Sequence, residues 1–349
     1  MTRVTAKTTE SATAPDLMLP PVCILGLGLI GGSLMRAAST KTSVFGWSRS
    51  DQTRQSALED GFAVSASLEE ALAKAADTDA LVVLASPVPT FAPLLRTIND
   101  VAPTVRLTDV ASVKSMVADL VSQHAPHARF VGSHPMAGTA HSGWRAGSPD
   151  LFRGAAWVTC IDEETDIADW LPVAALALAV GSRVVPCESG EHDRAVARIS
   201  HLPHLLALAL AQVGELGGPL AMSLAASSFA DGTRVAGTRP ELIRAFTETN
   251  VPALVDALDD ALGIIGVARA SLASTGSLVK ITEAGHAARL AFDDRGSDLT
   301  AVELTGQDLA EQLLAVGSAG GHVTHLTLKA GDPEGALVRA LYPSLDGDL

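Results

Sequence analysis

A glycine-rich turn between a short apolar run and a helix-forming segment most constrains the fold of this chain. Residues 22–25 read VCIL, and the pattern Gly26-x-Gly28-x-x-Gly31 follows at once. In that context glycine permits a tight turn, close approach of the backbone to a pyrophosphate, and tight packing of the helix on the strand. The turn therefore predicts a nucleotide-binding strand–loop–helix unit. A glycine turn in an unrelated α/β protein is the alternative.

Further apolar runs, each ending in a polar cluster, continue the pattern. They occupy residues 43–47, 80–85, 105–110 and 129–132. Helical stretches separate them, and strands that alternate with helices form a parallel, doubly wound sheet whose ligands bind beyond the carboxyl ends of the strands. We therefore expect a Rossmann-type α/β domain over residues 19–185, after a disordered tail over residues 1–18.

Past about residue 181 the pattern changes to helices. Helical periodicity rich in Ala and Leu covers residues 191–213, 218–229, 239–248 and 252–273, and no run there reads as a strand. Several of these helices are apolar on more than one side, which a small monomeric bundle cannot bury. We therefore expect an all-α dimerisation domain over residues 186–292, and a homodimer.

The remaining residues, 293–349, form a small C-terminal extension. Its strand-like and helix-like runs are residues 299–304, 308–316 and 322–328. This order suggests a β-α-β unit.

Composition narrows the classes of function. The chain has 39 Asp and Glu against 25 Lys and Arg, a net charge of −14, whereas nucleic-acid binders need basic surface. Its longest strongly apolar stretch, 173–180, is under half the roughly 20 residues that span a bilayer. Cys23, Cys160 and Cys187 fit neither a disulfide framework nor a zinc site. We expect a cytoplasmic protein with a small-molecule substrate, no metal, and no nucleic-acid or membrane partner.

The residues after the second run indicate the nicotinamide cofactor. NAD enzymes usually place Asp or Glu there to bind the ribose hydroxyl. This chain has Ser48 and Arg49, a hydroxyl and a guanidinium suited to a 2′-phosphate, although a solvated Arg49 is the alternative. We therefore expect NADP, with NAD as the second choice. The expected contacts are Gly26, Gly28, Leu29, Ile30, Gly31, Ser48, Arg49, Ser86 and Pro87.

Two motifs at strand exits carry candidate catalytic residues. His134 lies in GSHPMAGT between a glycine and a rigid proline, and imidazole accepts a proton near neutral pH. We interpret it as a general base, with a structural histidine as the alternative. Ser112, in DVASVK, either caps the next helix or donates a hydrogen bond to the substrate. Asp109 and Lys114 either fix this loop or touch the ligand.

The helical region contributes further candidates. His201 and His204 lie on one helical face, and Pro203 removes a backbone hydrogen bond to Ile199, which predicts a kink beside the imidazoles. Core histidines are the alternative, and a metal site is disfavoured because no carboxylate stands at a recognised spacing. Arg234, in DGTRVAGTRP, can bind a carboxylate through two hydrogen bonds, with an intersubunit salt bridge as the alternative.

Together these segments resemble the prephenate/arogenate dehydrogenase family of tyrosine biosynthesis. The resemblance covers residues 20–290 and rests on GLGLIGGS, DVASVK, GSHPMAGT, SHLPHLLA and DGTRVAGTRP, which occur in the family's order and spacing. It implies a monofunctional oxidoreductase that carries out NAD(P)-dependent oxidative decarboxylation. The substrate would be prephenate, giving 4-hydroxyphenylpyruvate, or arogenate, giving tyrosine.

The resemblance also assigns roles by motif. His134 would take the proton of the ring hydroxyl, Ser112 would support that hydroxyl, and Arg234 would hold a substrate carboxylate. The substrate pocket would also be lined by His201, His204 and Thr139. Two positions depart from the family pattern: Ala140, where many members carry glutamate, and Ile243, where some carry an aromatic residue. The choice between prephenate and arogenate therefore stays open, as does feedback by tyrosine.

Two other functions share part of the pattern. A β-hydroxyacid dehydrogenase would relay protons through a lysine of its helical domain, but no lysine lies between Lys114 and Lys280. A non-enzymatic NADP-sensing protein would keep the glycine loop, yet it would have no use for His134 together with Arg234.

Overall fold

The computed structural model describes residues 19–139, 141–329 and 332–343, so the tail expected over residues 1–18 lies outside it. Its strands form two six-stranded sheets. The first sheet consists of β1 (Val22–Leu25), β2 (Val44–Trp47), β3 (Ala63–Val64), β4 (Leu81–Leu84), β5 (Arg106–Asp109) and β6 (Arg129–Val131).

All neighbouring strands of the first sheet are parallel, in the order β3-β2-β1-β4-β5-β6. The helices that connect them are α1 (Leu29–Ala38), α2 (Asp51–Glu59), α3 (Leu68–Asp77), α4 (Phe91–Val101) and α5 (Ser115–His124). This is the doubly wound order of a Rossmann fold, and it confirms the expected fold class. The residues of β1 are fully buried, as expected for a central strand covered on both faces.

A second, mixed sheet was not predicted. It contains β7 (Ser133–Pro135), β8 (Ala156–Cys160), β9 (Arg183–Cys187), β10 (Leu299–Leu304), β11 (His322–Lys329) and β12 (Asp332–Pro343), with α6 (Ile167–Ala179) between β8 and β9. The order is β10-β12-β11-β9-β8-β7. The expectation that no strand lies between residue 181 and the C-terminal extension is wrong at β9. Pro186 interrupts its apolar run, and proline is tolerated in a strand where its missing N–H is not needed.

The C-terminal extension belongs to this second sheet. Strand β10 has the predicted bounds, and β11 pairs with β9 at Val323 opposite Val184. Helix α14 (Leu309–Ser318) packs on β9, and its Leu313 lies in the same hydrophobic core as Trp170. Strand β12 was missed because its opening residues, Asp-Pro-Glu-Gly, are turn formers.

The helical region contains α7 (Ser189–Val196), α8 (Leu202–Leu216), α9 (Gly218–Leu224), α10 (Ser227–Thr233), α11 (Pro240–Thr247), α12 (Val251–Ser274) and α13 (Val279–Asp293). The kink predicted at Pro203 takes the form of a π-helical turn over residues 197–201. Because proline lacks an N–H, the regular hydrogen-bond ladder cannot continue through it. The stretch 189–216, 28 residues long, is apolar and long enough to cross a membrane by length and composition alone.

Candidate active site

The glycine loop forms a cradle at the carboxyl end of β1. Gly26 has φ +113°, and a Cβ on Gly31 would lie 1.9 Å from the carbonyl oxygen of Gly26. Glycine is therefore required at both positions. A Cβ on Gly28, the N-cap of α1, would meet no atom within 4 Å. The backbone can thus approach a ligand closely at the amino end of a helix, where N–H groups favour a phosphate.

A cavity of about 540 Å³ opens beside this loop. It is lined by the residues that follow three strands, and among them are six of the expected cofactor contacts: Gly26, Gly28, Ser48, Arg49, Ser86 and Pro87. Leu29, Ile30 and Gly31 instead form the first turn of α1 and do not line it. None of the residues that line the cavity is acidic. The residues present therefore fit a dinucleotide cofactor.

Sequence reasoning missed Arg54, which braces the polar turn after β2. Its Nη1 donates to the carbonyl oxygen of Ser48 at 2.6 Å, and it forms an ion pair with Asp51. That pair engages the acidic residue closest in sequence to Arg49. The Arg49 guanidinium is left as the exposed cation at the cavity mouth.

His134 stands at the head of a three-residue hydrogen-bond chain. Strand β7 carries it, and its Nδ1 lies 2.9 Å from Nε2 of His192. Nδ1 of His192 lies 2.8 Å from a carboxylate oxygen of Asp193. Both partners belong to the first turns of α7, directly after β9. The second sheet and α7 thus bring together residues that are 58 positions apart in sequence.

The hydrogen bonds among Asp193, His192 and His134 determine which ring nitrogens carry protons. The backbone N–H groups of Lys114 and Ser115 donate to the two carboxylate oxygens of Asp193, at 2.8 and 2.9 Å. A carboxylate can only accept, so Nδ1 of His192 donates to it and Nε2 of His192 is left as an acceptor. Nδ1–H of His134 then donates to that nitrogen. Nε2 of His134 consequently keeps its lone pair, which is what a general base requires.

The electrostatics agree with this assignment. Burial, His192 and Lys114 lower the pKa of His134 well below its usual value of 6.5. Burial lowers the pKa of His192 too. Burial alone would raise the pKa of Asp193, but hydrogen bonds from His192 and from two backbone N–H groups outweigh it and lower that pKa to about 2. At neutral pH the carboxylate is charged and both imidazoles are neutral.

A buried ion pair links the end of β5 and the loop after it to β7, the strand that carries His134. Lys114 and Asp109 are paired with both side chains fully buried, and Nζ of Lys114 also donates to the carbonyl oxygen of Ser133 at 2.7 Å. The Ser133 hydroxyl donates to the backbone carbonyl of Asp109 at 2.6 Å. Asp109 and Lys114 therefore fix the loop rather than touch a ligand. Removing one charge would leave the other buried and unpaired, which costs several kcal/mol.

Ser112 and Thr139 lie on the two loops that border His134. Ser112 is half-buried after β5, but it is not a helix cap, because α5 begins at Ser115 with Lys114 as its N-cap. Thr139 is exposed, and its hydroxyl accepts from the backbone N–H of His141 at 3.2 Å. Residue 140, one of the two departures from the family pattern, lies outside the described residues.

The two histidines of α8 and its preceding turn differ in exposure. His201 is 1% exposed, stacks near Phe246, and lies 3.2 Å from the side-chain nitrogen of Asn250. This favours a core position behind the site. His204 is half-buried, and its Nδ1 donates to the carbonyl oxygen of Ser200 at 2.8 Å. The acceptor belongs to the π-helical turn, so Nε2 of His204 remains available as an acceptor.

Arg234 lies on a short turn that packs against α8 and is exposed. A few residues further on, Nη2 of Arg239 lies 3.4 Å from the hydroxyl of Ser142, on the loop that follows His134. The helical region thus reaches the loop beside the base. Ile243, the second departure from the family pattern, is buried on α11.

His192 and Asp193 are candidate functional residues that sequence reasoning missed. An adjacent His-Asp pair just after a strand, at the edge where polar clusters gather, would have been the signal. It was hidden because β9 was not recognised, so the pair was read as the start of a helical run over residues 191–213.

Comparison with known proteins gives matches along most of the chain. Residues 31–186 match the nucleotide-binding domain of prephenate dehydrogenase, and residues 188–275 match the dimerization domain of prephenate dehydrogenase. The cyclohexadienyl dehydrogenase of Zymomonas mobilis is 30% identical over 265 residues, which is 72% of this chain and 88% of that protein.

Solved structures agree. A crystal structure from Corynebacterium glutamicum, assigned to the prephenate dehydrogenases, has 44% identity and a TM-score of 0.80, and the match covers 87% of this chain and 98% of that one. The prephenate dehydrogenase of Aquifex aeolicus, in complex with hydroxyphenyl propionate and NAD+, has 25% identity and a TM-score of 0.70. That match covers 80% of this chain and 100% of the other.

Proposed function

The chain belongs to the prephenate dehydrogenase family, and on that premise we propose that it catalyses the NAD(P)-dependent oxidative decarboxylation of prephenate or arogenate. The observation that carries the proposal is the chain of hydrogen bonds from Asp193 through His192 to His134. It presents one neutral imidazole nitrogen as a base, on a fold that also builds a dinucleotide cavity. The buried, ion-paired Lys114 is unsuited to the lysine relay of a β-hydroxyacid dehydrogenase.

In this mechanism His134 removes the proton of the substrate's ring hydroxyl. A bound nicotinamide supplies the acceptor for the hydride that leaves the same carbon. Positive charge would build up at that carbon unless the hydroxyl proton were removed, so His134 stabilises the transition state. The carboxylate on the ring then leaves as carbon dioxide and the ring becomes aromatic. The negative charge of Asp193, linked through His192, stabilises the imidazolium that forms on His134.

The remaining site residues bind and orient the substrate. Ser112 hydrogen-bonds the reacting hydroxyl beside His134, and Arg234 forms a two-point contact with a substrate carboxylate. His204 offers Nε2 to the ring or its side chain, and Thr139 borders the pocket on the loop after β7. His201 acts from behind this layer, because it is buried against Asn250.

For the cofactor we propose a preference for NADP over NAD. The support is the cavity mouth, where Ser48 and Arg49 offer donors and none of the lining residues is acidic. The loop of Gly26, Gly28 and Gly31 receives the pyrophosphate, with Leu29 and Ile30 in the helical turn behind it. Ser86 and Pro87 line the same cavity and would contact the cofactor there.

We further propose that the enzyme is a cytoplasmic homodimer. Large apolar side chains of α8, α9, α12 and α13 are exposed in the single chain, for example Leu216 at 86% and Leu220 at 71%. The stretch 189–216 carries Glu191, Asp193 and Arg194 in its first turns, so its apolar surface suits a second copy better than a lipid bilayer. A match to a dimerization domain covers most of these helices.

The proposal is tested by steady-state reduction of NADP and of NAD with prephenate and with arogenate. We expect turnover with at least one substrate, and His134→Asn should lower kcat by roughly 100-fold or more while cofactor binding is retained. His127→Asn, at an exposed histidine in the turn between α5 and β6, is the matched control and should leave kcat unchanged. Near-normal turnover of His134→Asn would exclude His134 as the base.

A further inference from the structure

The C-terminal segment 299–343 lies outside both family matches, which end at residue 275. Its strands nevertheless belong to the second sheet, which also contains β7, the strand that carries His134. Strand β11 extends the second sheet from β9, and side chains of α14 share a core with Trp157 of β8, the strand that pairs with His134. A motion of this segment would therefore reach the sheet that carries the base.

The end of α14 touches the junction between β9 and α7. A Cβ on Gly317 would lie 1.6 Å from the carbonyl oxygen of Pro186, so the helix backbone rests directly on the strand. One residue later, the hydroxyl of Ser318 donates to the carboxylate of Glu191, at 3.2 and 3.3 Å from its two oxygens. Glu191 immediately precedes His192. The C-terminal segment thus contacts the turn of helix that carries the His192–Asp193 pair.

Other contacts hold the same turn from different sides. The backbone N–H and the hydroxyl of Ser189 donate to the carboxylate of Asp162, at 2.8 and 2.6 Å. The side-chain amide of Asn250 donates to the carbonyl oxygen of Asp193 at 2.8 Å. With α14 on the remaining side, the first turn of α7 is confined between three elements. These contacts therefore fix the positions of His192 and Asp193, which lie on this turn.

We propose that α14 is a positioning element for the catalytic base, with Gly317 and Ser318 as its positioning residues. They act through the first turn of α7, which sets the hydrogen bond between His192 and His134. That bond measures 2.9 Å, and a displacement of α7 by about 1 Å would break it. Misplacement of this size at a catalytic group costs on the order of 100-fold in rate. The inference rests on the proposed dehydrogenase function.

The first test widens the contact between α14 and β9. Gly317→Ala places a methyl group against a backbone carbonyl and should lower kcat about 10-fold or more, with KM for the cofactor unchanged because that cavity belongs to the first sheet. Gly285→Ala, in the middle of α13 where a Cβ meets nothing within 4 Å, is the matched control. A folded Gly317→Ala enzyme with normal kcat and only a lowered Tm would overturn the proposal.

The second test holds even if Gly317→Ala does not fold. Ser318→Ala and Glu191→Ala should each lower kcat several-fold, the double variant should be no worse than the more severe single one, and Ser318→Thr should restore activity. Effects on kcat that multiply in the double variant would contradict the proposed pairing.

A third measurement does not need turnover. Imidazole ¹⁵N NMR of the wild type should report Nδ1–H on His134, and Ser318→Ala should shift that resonance and the pKa of His134. An unchanged resonance would refute the coupling. If the wild type turned over neither substrate, the proposed function would fail, whereas the NMR result would still decide whether α14 positions the ring.

Discussion

Replacing Asp193 by asparagine tests the hydrogen-bond chain most sharply. The native carboxylate accepts from Nδ1 of His192 and from two backbone N–H groups. One oxygen, Oδ1, accepts from both His192 and the N–H of Lys114, and Oδ2 accepts from the N–H of Ser115. Asparagine has a single acceptor oxygen, so its amide nitrogen must face either Ser115 or both His192 and Lys114. If it faces His192, that ring must reverse its tautomer and donate to His134, whose Nε2 then carries the proton. In that orientation the base is disabled with no change of shape, and in the other His192 keeps its tautomer but loses the charged acceptor.

The magnitude follows from the hydrogen bond that is lost. A hydrogen bond to a charged group contributes about 1.5–3 kcal/mol, and one pKa unit or one decade corresponds to about 1.4 kcal/mol. Losing the preference for the reactive tautomer should therefore lower kcat about 10- to 100-fold. KM for NADP should stay unchanged, because Asp193 does not line the cofactor cavity.

The assay is steady-state cofactor reduction across a range of pH. Asp193 raises the pKa of His134, so in Asp193→Asn the acid limb of kcat should move to lower pH as well as drop in height. The control is Asp260→Asn on α12, which alters an exposed ion pair with Arg198 of the π-helical turn. It should behave as wild type. A stable Asp193→Asn enzyme with kcat within about twofold of wild type would refute the reasoning.

Further predictions concern pH, substrate, cofactor and assembly. In the wild type, kcat/KM should fall on the acid side with a pKa below 6.5, because burial lowers the pKa of His134 and the base works only when neutral; an acid limb above that value would contradict the site. Arg234→Ala should mainly raise KM for the substrate, with partial rescue by lysine, since a two-point carboxylate contact contributes uniform binding; a monomeric variant with unchanged KM would instead assign Arg234 to the subunit interface. Arg49→Ala should remove much of a 10- to 100-fold preference for NADP, roughly the contribution of one charge-assisted contact, and Ser48→Asp should reverse it; equal kcat/KM for both cofactors in the wild type would refute the preference. Light scattering should give twice the 35.9 kDa of one chain, and a monomer at micromolar concentration would contradict the dimer.

Local patterns were sufficient for the strands of the first sheet other than β3 and for the helical region as far as α12. The glycine turn, the apolar runs and their polar ends place β1, β2, β4, β5 and β6 within a residue or two, because parallel strands buried on both faces are continuously apolar. The second sheet could not be found this way. Its pairing of β9 with β11 joins residues far apart in sequence, Pro186 and the turn formers of β12 disguise the strands, and such long-range pairing leaves no local signal.

The same limit applies to the site. His134 could be recognised because it follows an apolar run between a glycine and a proline. Its partners could not, since His192 reaches it only when β7, β8 and β9 form one sheet and α7 starts from β9. His201 shows the converse case: its motif suggests a pocket residue, yet packing against Phe246 and Asn250 buries it. Motifs select residues, but tertiary packing decides which of them touch.

The most direct test of the central claim compares two products of one reaction. Substrate labelled with ¹³C at the ring carboxylate is incubated with the wild-type enzyme and NADP, and the labelled carbon dioxide is measured together with the reduced cofactor. An oxidative decarboxylase should release the two in equal amounts, and an aromatic product should appear at the same rate. Reduced cofactor without labelled carbon dioxide would identify a simple hydroxyacid dehydrogenase, and neither product from prephenate or from arogenate would contradict the proposed function altogether.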